Sequence, residues 1–236
     1  MQERSVATSV ETIAFDGLLV IVGGGTVDPA LLRELYLTGA HLVGADSGAD
    51  TIVEAGFKPE AIIGDFDSVA EPHKWLGKAR LLHIAEQETT DFEKAIYSTR
   101  APVTVALGMT GKRFDHTLAA LDAVTRYASR RAIILVDEDD LALALDRRFS
   151  FVVAPGERVS VHPLAPVTFW RSEGLKYPLD AVKLAPGIRT GTSNTAEQGP
   201  FTIVPEEGIH APWLLILDKR YLLPLVDQLM VEARRK

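Results

Sequence analysis

Residues 17–39 read GLLVIVGGGTVDPALLRELYLTG. The short unbroken apolar run at its start, stopped by glycine, fits a strand buried on both faces. Gly23, Gly24 and Gly25 end the run. Asp28-Pro29 then supplies a helix N-cap with proline at the first helical position, where a missing N–H costs nothing, and ALLRELYLTG follows. The same strand–helix unit recurs downstream. HLVGAD (41–46) predicts a second strand, with a helix from about Asp50 to Ala55; AIIGDFD (61–67) predicts a third strand and turn, and RLLHIA (80–85) a fourth. Thr90 and Glu93 have capping-box spacing, so a helix is expected from there to about Thr99. VTVALG (103–108) and AIILVD (132–137) predict two more strands, separated by FDHTLAALDAVTRYA, whose apolar residues at 114, 118, 121 and 124 have a helical period. Such alternation implies an α/β fold, a mostly parallel Rossmann-like sheet with helices on both faces.

The character changes after about residue 148. FSFVVAPGERVSVHPLAPVTFW (149–170), GPFTIVPEEG (199–208) and PWLLILD (212–218) read as short strands between Pro and Gly turns, with a closing helix in YLLPLVDQLMVEARR. The expectation is a loosely ordered extension over 1–15, an α/β domain over 16–147, and a smaller antiparallel β-sandwich domain over 148–236.

Bulk properties narrow the function. The 236 residues carry a net charge of −7, which argues against nucleic acid or an anionic membrane as partner, since both need a basic surface. The absence of cysteine excludes disulfides, thiolate metal sites and cysteine nucleophiles, and fits a cytoplasmic enzyme. MQERSVATSVET lacks the apolar core of a signal peptide, and no apolar run is long enough to span a membrane.

In open parallel α/β sheets, ligands bind at the carboxyl ends of the strands. Those ends carry Gly23–Gly25, Asp46, Asp65 with Asp67, and Gly108 to Asp115, while Asp91 opens the helix after the fourth strand. Crowded carboxylates repel unless a cation neutralises them, and an all-oxygen donor set suits Mg²⁺. GMTGKRFDHT (108–117) faces them with glycines that admit a ligand to the backbone, two cations in Lys112 and Arg113, and Asp115 placed to cap the next helix. Acidic metal ligands opposite a Gly-rich basic loop are what a triphosphate requires. Each element also has a plain reading: Asp65-x-Asp67 as a polar turn, Asp91 and Asp115 as helix-start residues, His116 as a surface histidine, and the glycine triplet as a turn matching neither the dinucleotide fingerprint nor the P-loop.

Six stretches in order, ADSGAD (45–50), GDFDS (64–68), TDFEKAI (90–96), GKRFDH (111–116), GLKYPL (174–179) and GTSN (191–194), resemble the motifs of the thiamine pyrophosphokinase family. The resemblance spans both domains. It implies transfer of a pyrophosphoryl group from ATP to the thiamine hydroxyl, giving thiamine diphosphate and AMP, in a homodimer that holds thiamine near the subunit interface. It places Asp46, Asp65, Asp67 and Asp91 around Mg²⁺ and the ATP phosphates, with Asp65, Asp67 and Asp91 as metal ligands. Lys112, Arg113, Asp115 and His116 fall in the ATP loop, and Ser193 and Asn194 near thiamine. The family often reads Lys-Asp-x-Thr-Asp where this chain has Gln87-Glu88-Thr89-Thr90-Asp91, so Asp91 is carried over and Gln87 is given no role. Thiamine is cationic and flat, which makes Trp170, Tyr177 and Trp213 aromatic candidates, each with a β-core alternative. The competing functions are a Mg²⁺-dependent phosphohydrolase of the haloacid dehalogenase type, whose aspartate pair ends the first strand rather than the third, a non-catalytic nucleotide sensor, and a pyrophosphokinase for another alcohol.

Overall fold

The computed structural model describes residues 12–235, apart from 68, 70, 71, 209 and 210. In chain order the N-terminal part comprises β1 (Ile13–Ala14), β2 (Leu18–Val22), α1 (Pro29–Leu37), β3 (His41–Ala45), α2 (Gly48–Glu54), β4 (Ala61–Gly64), β5 (Arg80–His83), α3 (Asp91–Tyr97), β6 (Thr99–Arg100), β7 (Val103–Leu107), α4 (Phe114–Tyr127) and β8 (Ala132–Val136). There follow β9 (Asp140–Leu145), β10 (Phe149–Val152), β11 (Arg158–Pro163), β12 (Val167–Glu173), β13 (Val182–Leu184), β14 (Gly191–Thr195), β15 (Pro200–Pro205), β16 (Trp213–Asp218) and α5 (Leu222–Ala233).

The apolar run after Gly17 is central because it is apolar on both faces. In β2, Leu18, Val20 and Val22 enter one core and Leu19 and Ile21 the other. The first core is closed by Leu32 and Leu35 of α1, Ile52 of α2, and Leu222, Leu225, Val226 and Leu229 of α5. The second is closed by Phe92, Ala95 and Ile96 of α3 and Ala120, Ala123 and Val124 of α4. The parallel strands lie in the order β5-β4-β3-β2-β7-β8, so the winding reverses between β2 and β7. That reversal opens a crevice at the carboxyl ends of β2 and β7, the place where such sheets bind ligands.

Three expectations are corrected. DLALAL (140–145), not among the expected strands, forms β9, antiparallel to β8 and to β16. Its period of two sends Leu141, Leu143 and Leu145 into one core and Ala144 into the other. Through β9 the sheet continues into β16, β11 and β14, giving ten strands in the order β14-β11-β16-β9-β8-β7-β2-β3-β4-β5. The second correction concerns α4. Its buried residues are Ala120, Ala123 and Val124, whereas Phe114 and Leu118 are 75% and 51% exposed. Alanines let the helix approach the sheet closely, so packing selects the small face over the larger apolar residues. The third is the N-terminal extension. Its first 11 residues lie outside the described residues, but Ile13–Ala14 pairs in parallel with Thr99–Arg100 and Ile13 is buried.

The antiparallel part is a sandwich. A four-stranded sheet, β10-β15-β12-β13, shares a core with the end of the ten-stranded sheet. Phe169 of β12 meets Trp213 of β16 edge-to-face, with centroids 5.5 Å apart. Trp213 is therefore a core residue, while Trp170 and Tyr177 are 64% and 59% exposed.

Candidate active site

The crevice is floored by backbone. Gly25 N–H donates to Gly108 O at 2.8 Å, and a Cβ built on Gly25 would lie 2.4 Å from that oxygen. The glycine triplet is thus needed for the chain after β2 to lie against the loop after β7. The crevice walls are Asp46 and Ser47 after β3, Thr90 and Asp91 at the start of α3, and Thr110, Lys112, Arg113 and His116 on the loop into α4.

Asp46 has the most constrained carboxylate on this rim. Its backbone is left-handed at φ 47, a conformation that aspartate tolerates better than most residues. Its side chain is 4% exposed, and its Oδ1 has no hydrogen-bond partner. Burial first, then the nearby Asp91, pushes its carboxyl up to about 6 from the ordinary 3.8. Asp65 and Asp67 stand on the turn that follows β4. Phe66 between them is also left-handed, at φ 63, which is unusual for a bulky residue and is the kind of local strain found at ligand sites. Asp67 N–H donates to Asp65 Oδ1 at 3.3 Å, closing an Asx turn. One carboxylate oxygen each from Asp46, Asp65 and Asp67 lie within 4.8 Å of one another. A buried oxygen without a partner in a cluster of acids is a donor set suited to a hard divalent cation.

Asp91 reaches the same rim by a different route. Thr90 caps α3, accepting Glu93 N–H at 3.4 Å, as the capping-box spacing predicts. Asp91 Oδ1 then accepts from Lys94 Nζ at 3.1 Å. Lys94 is only 2% exposed and lies 3.7 Å from Asp65 Oδ2, so one buried cation ties two of the expected metal ligands together. Neither this lysine nor Gln87 was among the sequence candidates. Gln87 Nε2 donates to Asp65 Oδ2 at 2.7 Å, and this hydrogen bond is the main reason the Asp65 carboxyl titrates below its ordinary range. The i,i+3 spacing of Asp91 and Lys94 is visible in the sequence; the Gln87 contact spans 22 residues and is not.

The basic loop supplies its cations from within the protein. Lys112 Nζ donates to Gly24 O at 3.0 Å, and Arg113 forms a forked pair with Asp115, at 2.6 and 3.2 Å. The Arg113 contact holds the Asp115 carboxyl below its usual range. Asp115 does not cap α4: the N-cap position is Arg113, and Asp115 sits in the first turn, accepting His116 N–H at 3.0 Å. Thr110 Oγ1 donates to Asp137 Oδ1 at 2.8 Å, tethering the loop to the end of β8.

The two C-terminal motifs meet away from this crevice. Asn194 is buried; its Oδ1 accepts from Tyr177 N–H at 3.0 Å and Thr195 N–H at 2.8 Å, and its Nδ2 donates to Tyr177 O at 2.7 Å. It therefore stitches GLKYPL to GTSN, and its polar atoms are spent on backbone. Ser193 beside it is exposed, with φ 60.

Asp46 also yields a stability test. Because its folded carboxyl titrates above its unfolded value, ionising it costs stability, a cost absent below about pH 3.8 and complete above about 6. Stability of the metal-free protein should therefore fall as pH rises through that window. Asp46→Asn should remove this contribution and stabilise the protein at pH 7 by about 3 kcal/mol, the equivalent of the shift. Urea titrations at pH 4 and pH 7 in chelator check it; an unchanged pH difference in the variant would refute the buried-carboxylate assignment.

A doubly wound sheet whose carboxyl-end crevice sets carboxylates and a glycine-rich basic loop together, extended by an antiparallel sandwich, defines the class of this α/β protein. A family profile described as "Thiamin pyrophosphokinase, catalytic domain" matches residues 33–136. Thiamine pyrophosphokinase 1 of Oryza sativa subsp. japonica is 27% identical over 176 residues, 66% of this chain and 66% of its own, and Thiamin pyrophosphokinase 1 of Caenorhabditis elegans is 29% identical over 58% and 62%. The chain thus spans slightly less than two thirds of these relatives. The crystal structure of thiamin pyrophosphokinase from Geobacillus thermodenitrificans superposes with a TM-score of 0.71 at 27% identity, covering 86% of this chain and 97% of that one. The chain is thus similar to thiamine pyrophosphokinases in sequence over its N-terminal part and in fold over most of its length.

Proposed function

We propose that the protein transfers a pyrophosphoryl group from ATP to the hydroxyl of thiamine, releasing thiamine diphosphate and AMP. The observation that carries this reading is the convergence of Asp46, with its orphaned buried oxygen, on Asp65 and Asp67, at the edge of a crevice that Asp46 and Asp91 line together with Lys112 and Arg113. Asp65, Asp67 and Asp91 would hold Mg²⁺ together with Asp46, whose carboxylate oxygen clusters with those of Asp65 and Asp67; the ion would supply neutralisation of polyphosphate charge. The backbone of Gly23–Gly25 and Gly108 lets phosphate approach without side-chain clash. Lys112 and Arg113 exchange their present partners for phosphate oxygens, Arg113 in forked geometry. Asp115 and His116 belong to the same loop and shape its entry into α4. The absence of cysteine fits a cytoplasmic setting.

The sheet order bears on where thiamine sits. β14, with Ser193 and Asn194, is the edge opposite β5, and eight strand steps separate it from β4. At about 4.8 Å per step that is roughly 38 Å along the sheet to β4 and roughly 24 Å to β7, more than the length of one bound thiamine. If the GTSN loop binds thiamine and the aspartates bind ATP, the partners come from two copies of the chain, which favours the homodimer that the family resemblance implies.

Incubating the protein with ATP, Mg²⁺ and thiamine tests the reaction. AMP should appear in equal amount to thiamine diphosphate. ADP or free phosphate without AMP would overturn the reading, the latter in favour of a phosphohydrolase; AMP formation only with a different alcohol would reassign the acceptor.

A further inference from the structure

The contact between Gln87 and Asp65 joins the loop before α3 to the turn after β4. Its polarity follows from chemistry: a carboxylate can only accept, so the amide presents its NH₂. Asp65 is then held at both oxygens, Oδ2 by Gln87 and Oδ1 by the Asp67 N–H, with Lys94 Nζ 3.7 Å from Oδ2. The loop carrying Gln87 is itself anchored. Glu86 Oε2 accepts from Glu88 N–H at 2.6 Å and Thr89 N–H at 3.1 Å, while its Oε1 accepts from the Thr89 hydroxyl and from Tyr97 OH at 3.1 Å. An exposed glutamine thus extends from a pinned loop, its amide fixed on one carboxylate.

We propose that Gln87 is a positioning residue of the metal site, fixing the plane of Asp65 so that this carboxylate meets a divalent cation in one orientation. This rests on the reading of Asp65 as a metal ligand. A neutral donor suits the task here. Lys94 already brings one positive charge against Asp65 and Asp91, and a second cation at 87 would compete with the metal for the same oxygen. The amide contributes geometry and no charge. Partners of this kind, one bond removed from the metal, typically change metal affinity by about 10- to 100-fold when deleted.

The test measures the thermal unfolding midpoint of the substrate-free protein against Mg²⁺ concentration, for wild type, Gln87→Met, Asp65→Asn and the double variant. Gln87→Met keeps the side-chain length and removes the donor. Its midpoint in chelator should stay near wild type, because the side chain is exposed, while the Mg²⁺ concentration giving half of the stabilisation should rise about 10-fold or more. On the Asp65→Asn background the same change should add nothing, since the two act through one contact. A wild-type Mg²⁺ response in Gln87→Met, including one accompanied by a lower chelator midpoint, overturns the proposal, as does an equal loss on the Asp65→Asn background. If Asp65→Asn itself leaves the Mg²⁺ response intact, the metal-ligand reading fails first; if it abolishes the response and Gln87→Met does not alter it, only the positioning role falls.

Discussion

Asp67→Asn should lower turnover at saturating ATP, Mg²⁺ and thiamine by about 100-fold or more, a loss of about 3 kcal/mol of transition-state stabilisation. The substitution preserves size and removes one charge from a cluster whose oxygens lie within 4.8 Å of one another. It leaves the turn in place, because the group that Asp67 donates to Asp65 is its backbone N–H. Asp65→Asn would be a less clean probe, since it alters the contacts with Gln87 and Lys94 as well. Removing one of several crowded carboxylates relieves repulsion in the metal-free protein, so stability in chelator should hold or rise. Steady-state kinetics and urea unfolding on the same preparation separate the two effects. Near-normal turnover in a folded variant would remove Asp67 from the site.

Local chemistry made most of this site readable. Asp28 accepts Ala30 N–H, Thr90 accepts Glu93 N–H, and the parallel strands fall within a residue or two of the apolar runs, because caps and buried strands are set by near neighbours. The rim of Asp46, Asp65, Asp67 and Asp91 follows from one rule, that the carboxyl ends of parallel strands share an edge. Failures came where distant parts of the chain decide. In α4, the pairing of helix and sheet buries Ala120 and Ala123 and leaves Phe114 outside, a choice that depends on how close the sheet lies. The β9 strand carries its alternating signal in DLALAL, but only its place between β8 and β16 shows that it merges the two halves into one sheet. Gln87 has no signal at all: a glutamine where the family often has lysine looks like a lost function until the turn after β4 is seen beside it. Asn194 is a similar case. Its buried amide also bonds the Tyr177 and Thr195 backbone, a contact its motif did not signal.

The separation of β14 from β4 leads to the second large effect, an activity regained by mixing two defective copies. Ser193→Lys suits the thiamine side because Ser193 is exposed, whereas replacing Asn194 would unstitch the Tyr177 segment. Lysine opposes a cationic acceptor: two like charges about 5 Å apart at a protein surface repel by roughly 3 kcal/mol. The variant should raise the KM for thiamine by about 10-fold or more and leave the KM for ATP near wild type, the reverse of a lesion in the carboxylate rim. Asp67→Asn and Ser193→Lys copies, each with little activity at low thiamine, can then be co-expressed with different tags. If each site takes its aspartates from one copy and its thiamine loop from the other, a mixed dimer holds one site with both lesions and one with neither. Random pairing makes half the dimers mixed, so about one quarter of wild-type activity should return, concentrated in the doubly tagged fraction. If both halves of a site belong to the same chain, no intact site can form and the mixture stays at the average of the two variants. That result would place thiamine elsewhere than the GTSN loop, near enough to the rim of β4 for one chain to hold both substrates.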